Sequence, residues 1–201
     1  MLELKEKIPK IFRGLDSKDY EILEFFRENG PASRYDANKA LGSKIPKSTL
    51  YRRVNALKEK GFLKVSGKRE FVRGTLNFQV ELLDLSFKGF FASLKTVRRE
   101  DFPRITAEDF PIAYKDKNIQ KMDPDSLYEL CDFLVDYMID AGQDLTDNKN
   151  FDLAYFYSIF LNAFVKWPER GMKLLKKCFP EHVPPEELVQ TLMAIKRQME
   201  I

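Results

Sequence analysis

The stretch that decides the fold reads Pro46-Lys47-Ser48-Thr49-Leu50-Tyr51-Arg52-Arg53-Val54-Asn55-Ala56-Leu57-Lys58-Glu59-Lys60-Gly61-Phe62-Leu63. Leu50, Val54 and Leu57 recur at i, i+4 and i+7, the spacing of one apolar face of a helix. Pro46 suits the first helical position, where its missing N–H is one that every helix start leaves unpaired. Gly61 is a stop, so the helix is expected over 46–60. Directly after it the period changes from 3.6 to two. Phe62-Leu63-Lys64-Val65 reads as a strand, Ser66-Gly67-Lys68 as a turn, and Phe71 with Val72 as part of a second strand. Leu76, Phe78, Val80 and Leu82 alternate in a continuation, with a bulge or bend at Gly74-Thr75.

Upstream, Asp16 or Ser17 caps a helix carrying Ile22, Leu23, Phe25 and Phe26, and Asn29-Gly30-Pro31 ends it. Ser33 caps a short helix with Tyr35, Ala37, Ala40 and Leu41, closed by Gly42. Two short helices joined by a tight Gly-containing turn, followed by a hairpin, are the helix-turn-helix pattern with a wing. An earlier helix is expected over 2–15, although Pro9 falls inside its pattern. Downstream, Ser86 caps a helix from Phe87 to Leu94, and 99–111 reads as a polar, Pro-containing linker. Further helices are expected over 125–141, 151–166, 168–178 and 185–199. The fold class is therefore mainly α. An N-terminal winged helix-turn-helix (three helices plus a β-hairpin wing, residues 1–96) precedes an all-helical C-terminal domain (residues 97–201).

The charge follows the same division. Residues 1–99 hold 22 Lys and Arg against 12 Asp and Glu, whereas residues 100–201 hold 12 against 19. A basic unit beside an acidic one points to two different partners. Between 39 and 73 there are eleven basic residues and two acidic ones. An ordinary solvated face mixes both signs, so this excess points to a polyanion. On a helical wheel, Ser48, Arg52 and Asn55 lie opposite the apolar face of 46–60, with Thr49, Tyr51 and Ala56 at its edges. Arg donates two bonds to guanine O6 and N7, Asn pairs with adenine N6 and N7, and small residues allow close approach. Lys44 and Lys47 sit where a helix N-terminus meets phosphates, and Arg53, beside the core face, is placed for the DNA backbone. The wing adds Lys64, Lys68, Arg69 and Arg73.

Residues 47–54, continued by Leu57-Lys58-Glu59-Lys60-Gly61-Phe62-Leu63, resemble the recognition-helix stretch of prokaryotic winged-helix transcriptional regulators of the broad MarR, ArsR and PadR type. Leu82-Leu83-Asp84-Leu85-Ser86-Phe87-Lys88-Gly89 is similar to the segment that leaves the wing there, and Lys-Gly-Phe-Phe-Ala-Ser-Leu is similar to archaeal members. The resemblance covers residues 15–95 and does not extend to the C-terminal half. It implies a transcription regulator, often dimeric. The expected function is sequence-specific binding of double-stranded DNA, with helix 46–60 in the major groove and wing 62–82 on the backbone. The alternative is a winged-helix protein–protein adaptor in a larger assembly.

Other features narrow the classes. Cys131 and Cys178 form no CxxC or Cys/His pattern, and His182 is the single histidine, so neither a metal site nor a disulfide framework is expected. No catalytic constellation and no cofactor motif is found, and the chain is read as no enzyme. Asp132 and Asp136 are i, i+4 on a helix without a partner for acid–base work. No signal peptide is visible, and the most apolar stretch is too short and polar to span a bilayer, so a cytoplasmic protein is expected. The aromatic run Phe151, Tyr155, Phe156, Tyr157, Phe160, Phe164 and Trp167 lines a small-molecule pocket, forms core, or makes a dimer seam. A homodimer through the C-terminal half is expected, with 151–167 and Leu188, Leu192, Ile195 and Met199 as seams and the first helix as a rival.

Overall fold

The structure, a computed structural model, describes residues 2–73, 76–104, 123–178 and 194. It is mainly helical, with one two-stranded antiparallel sheet among the described residues. The helices are α1 Leu4–Ile11, α2 Ser17–Asn29, α3 Arg34–Leu41, α4 Lys47–Glu59, α5 Phe87–Ser93, α6 Pro124–Asp140, α7 Leu153–Lys166 and α8 Pro168–Cys178. The strands are β1 Leu63–Arg73 and β2 Leu76–Leu85. Two compact units emerge. One holds Ile8–Val97 with Asp144–Phe151, the other Met1–Lys7, Arg98–Gln143 and Asp152–Ile201. A single cut after residue 96 does not describe this division, because Met1–Lys7 and Asp144–Phe151 each join the unit that is remote in sequence.

The unit built on Ile8–Val97 starts from local signals. Asp16 accepts from the backbone N–H of Lys18 and Asp19, and the Asp19 side chain answers the Asp16 N–H, a reciprocal cap that fixes the start of α2. Ser33 and Asp36 do the same for α3. Pro46 sits one position earlier than expected, as the cap of α4. Leu50, Val54 and Leu57 are buried against Ile22, Leu23, Phe26, Ala37 and Ile45 in the core. Tyr35, grouped with the apolar residues of α3 by its type, is 64% exposed.

The hairpin departs from expectation. Ser66-Gly67-Lys68 is not its turn. The strands pair continuously from Leu63↔Leu85 to Arg73↔Leu76, and the irregularity between Val65 and Gly67 is a bulge. A glycine in a strand pattern marks a bulge as readily as a turn. Gly74 and Thr75 lie outside the described residues. Ala32 adds a bridge to Leu83, exchanging bonds of 2.9 and 2.8 Å. At the base of the hairpin, Gly61 has φ +81, which favours glycine. A Cβ on Gly89 would stand 2.0 Å from the Phe62 carbonyl oxygen, so α5 packs on the backbone just before β1 as only glycine allows.

Residues 144–151 complete this unit. The Leu145 N–H donates to the Ile11 carbonyl at 2.7 Å, and the Gly14 N–H to Thr146 Oγ1 at 3.1 Å. Phe151 stacks on Phe87 at 5.2 Å, lies tilted against Phe91 at 5.5 Å and meets Phe12 edge-on at 6.4 Å. It therefore does not belong with the rest of the aromatic run.

In the other unit, Asp123 caps α6 and Asp152 caps α7 through the Ser126 and Tyr155 N–H groups. The core joins Leu127, Leu130, Cys131, Leu134 and Val135 of α6 to Phe156, Ile159, Ala163 and Phe164 of α7. Residues 99–104 are not a polar linker: Arg99–Arg104 is a 3-10 helix whose Phe102 is buried edge-on against Tyr128 at 5.0 Å. The remainder of that expected linker and the helix over 185–199 lie outside the described residues, as does His182. No helix among the described residues is long and apolar enough to cross a membrane.

Candidate nucleic-acid interface

Burying Leu50, Val54 and Leu57 turns the opposite face of α4 outward. Ser48, Arg52 and Asn55 are exposed on it, with Thr49 and Tyr51 half-exposed at its edge. Lys47 places its amine 5.7 Å from the centre of the Tyr51 ring, and Lys44 is exposed just before the helix. In β1, Lys64 and Lys68 are exposed. The side chain of Arg73 lies outside the described residues.

The basic excess divides by partner. Arg53 does not project from the face. Its two terminal nitrogens bond Asp16 at 2.7 Å and Asp19 at 2.8 Å, and its Nε is buried with no hydrogen-bond partner among the described residues. Hydrogen bonding to Asp19, and then to Asp16, holds its guanidinium charge more firmly than usual. Burial works against the charged form of Asp16, but Arg53 and two backbone N–H groups outweigh it and keep that carboxyl below the ordinary range. Arg53 thus ties α4 to the start of α2, a role its position beside the core face did not reveal. Lys58 bonds both Glu81 oxygens at 2.8 Å, Lys60 pairs with Asp147 at 3.1 Å, and Arg69 with Asp36 at 3.6 Å. Lys39, Lys44, Lys47, Arg52, Lys64 and Lys68 make no ion pair among the described residues. In the register of the hairpin Lys68 lies opposite Glu81 and Lys64 opposite Asp84, so the two project from opposite faces of it.

Arg34 joins the face and was not singled out by its sequence context. Its Nη1 donates to Asn55 Oδ1 at 2.8 Å, and its Nη2 stands 3.8 Å from Glu81 Oε2. The exposed Tyr35 follows it. A sequence signal existed only in hindsight: both open α3, the helix ahead of α4, but nothing in their spacing links position 34 to position 55.

The remaining candidates are structural. Asp132 and Asp136 hold Lys7 at 2.7 and 2.6 Å, and Arg170 bonds the same two carboxylates. Cys131 is fully buried, and burial raises its thiol far above the ordinary range; Cys178, half-buried, is pushed up to about 11 by the same cause. Both changes disfavour the thiolate that redox sensing needs. No cluster of metal-ligating side chains occurs among the described residues. Compared with family models, with curated proteins and with solved structures, the chain matches none.

Proposed function

We propose that residues 8–97 act as a winged helix that binds double-stranded DNA, with α4 in the major groove and the β1–β2 hairpin along the flanking backbone, in a sequence-specific transcription regulator. One observation carries the reading: the exposed Ser48, Arg52 and Asn55 of α4 belong to a unit in which Lys39, Lys44, Lys47, Arg52, Lys64 and Lys68 make no ion pair among the described residues. Cations already bonded to carboxylates are poorly placed to neutralise phosphates, and these six are not so bonded. Each phosphate they neutralise releases counterions, giving a log–log salt slope of about −0.9 per contact, hence about −5 for six. Fluorescence anisotropy of a labelled duplex at several salt concentrations measures that slope. A flat dependence overturns the proposal.

The pairing of protomers belongs to the same proposal, since specific reading couples two half-sites about one turn apart. Its candidate seam is the outward face of α7, where Tyr157, Leu161 and Val165 are exposed. A second reading, an adaptor that binds protein, is favoured by Val65 and Phe78, which are 46% and 47% exposed on the hairpin. The salt titration separates the two, because an apolar contact has no steep dependence.

A further inference from the structure

Resting on the DNA-binding reading, we infer that Arg34 sets the base that Asn55 reads, and that the base is guanine rather than adenine. A guanidinium has five N–H donors and no acceptor. Its 2.8 Å bond to the Asn55 side chain therefore requires the carboxamide oxygen to face Arg34 and the amide nitrogen to face away. The orientation of this amide follows from its partner's chemistry. Arg34 is itself held: Glu81 stands 3.8 Å from its other arm, and Glu81 is fixed by two 2.8 Å bonds from Lys58. Asn55 of α4 and Glu81 of β2 thus both hold the guanidinium of Arg34 from α3.

An asparagine that pairs with adenine uses both ends of its amide, accepting from N6 and donating to N7. Here one of the two lone pairs of the accepting oxygen is taken by a cation. The adenine N6 amino group and cytosine N4, both donors, meet a positive charge beside the one lone pair that is left. Guanine offers only acceptors, O6 and N7, to the major groove. The Arg34–Asn55 pair presents the amide N–H groups and a positive charge, so it complements guanine better than adenine or cytosine. Arg34 is a positioning residue in this scheme, acting through Asn55.

Selection of bound duplexes from a random pool, followed by affinity measurement on single-base variants, tests the inference with the full chain. The wild type is expected to prefer guanine over adenine at one position by at least about fivefold. Asn55→Ala erases that preference. Arg34→Ala frees the carboxamide to rotate and shifts the same position toward adenine, leaving the rest of the site unchanged. α3 is capped by Ser33 and Asp36 and not by Arg34, so the variant keeps its fold, which its thermal melt checks. Adenine at the Asn55-dependent position in the wild type, or an unchanged base profile in Arg34→Ala, overturns the inference while leaving DNA binding standing. A wild-type chain that selects no duplex in a salt-dependent way overturns the DNA reading itself, and this inference falls with it.

Discussion

Among the described residues each unit of the molecule buries one lysine, and the two are held by opposite means. Lys88, 1% exposed, donates to the carbonyls of Lys60, Thr146 and Asn148, each at 2.8 Å, and lies 4.2 Å from the centre of the Phe62 ring. It has no ion-pair partner among the described residues. Lys7, 4% exposed, bonds two carboxylates, Asp132 and Asp136. A buried ammonium has three donors to satisfy as well as a charge. In one unit the donors are spent on irregular backbone. Residues 144–149 form neither helix nor strand, and Lys88 supplies partners that a ladder would otherwise provide. In the other unit the charge is neutralised and three segments, α1, α6 and α8, meet at one cluster. The comparison teaches that burial alone does not define a lysine's role; the chemistry of its acceptors does.

The hardest test removes the backbone-bound lysine. Lys88→Met keeps the bulk of the stem but leaves three carbonyls without their donor. An unsatisfied buried acceptor costs about 1–3 kcal/mol, so a loss of about 3 kcal/mol or more is expected. Native-state hydrogen exchange reads it in the amides of α2, α4 and α5. Protection changed by less than about 0.5 kcal/mol would mean that residues 144–149 do not depend on Lys88, and the comparison would break.

Lys7→Met is expected to cost less, about 1–2 kcal/mol, because Arg170 still bonds Asp136 at 2.7 Å and stands 3.4 Å from Asp132. The sharper contrast is in alkali. Burial brings Lys88 down to about 8, below the ordinary 10.5. Between those values the unfolded chain keeps a proton that the folded chain has released, so stability rises with pH across that window. For Lys7, burial pulls downward, but the bonds to Asp132 and Asp136 outweigh it and raise the amine. Its contribution is fully present below 10.5 and is lost as pH rises through the raised folded value. Titration of the lysine Cε chemical shifts is expected to give a midpoint near 8 for Lys88 and one above 10.5 for Lys7. Coincident midpoints would erase the distinction.

How much of this was legible depends on the reach of each interaction. The caps at Asp16 and Ser33 and the buried face of Leu50, Val54 and Leu57 lie within a few residues, and residue type and spacing carry them. The exposure of Ser48, Arg52 and Asn55 follows from the same wheel. Arg53 could not be placed that way, because its carboxylates lie 34 and 37 residues away. The same holds for Arg34 and Asn55, 21 residues apart, and for Lys88 and Asn148, 60 apart. Ser66-Gly67-Lys68 failed differently: turn chemistry and bulge chemistry share their residue types, and only the pairing of Leu63 with Leu85 decides between them. Phe151 was grouped by aromatic type with residues of α7 that pack in the other unit.

The smallest effect on stability is expected on the outer face of α7, where the two units contrast again. One unit carries six cations that make no ion pair among the described residues. Residues 153–165 of the other carry no charged side chain at all, yet Leu161 is 63% exposed and Val165 43%. The C-terminal half holds 12 basic residues against 19 acidic ones, so two copies repel one another over most of that surface. A neutral apolar stripe is where the repulsion is least and the apolar gain greatest, which makes a second copy its natural occupant. Leu161→Glu places a carboxylate in that stripe. Because Leu161 is exposed, folding stability is expected to change by less than about 0.5 kcal/mol. The oligomeric state should change completely, from a dimer in the wild type to a monomer in the variant, by sedimentation equilibrium at micromolar concentration. Affinity for a duplex with two half-sites should then fall to that for one half-site, with the salt slope of each protomer preserved. A monomeric wild type, or a variant that dimerises equally well, overturns the assignment of this face and leaves the charged face of α4 untouched.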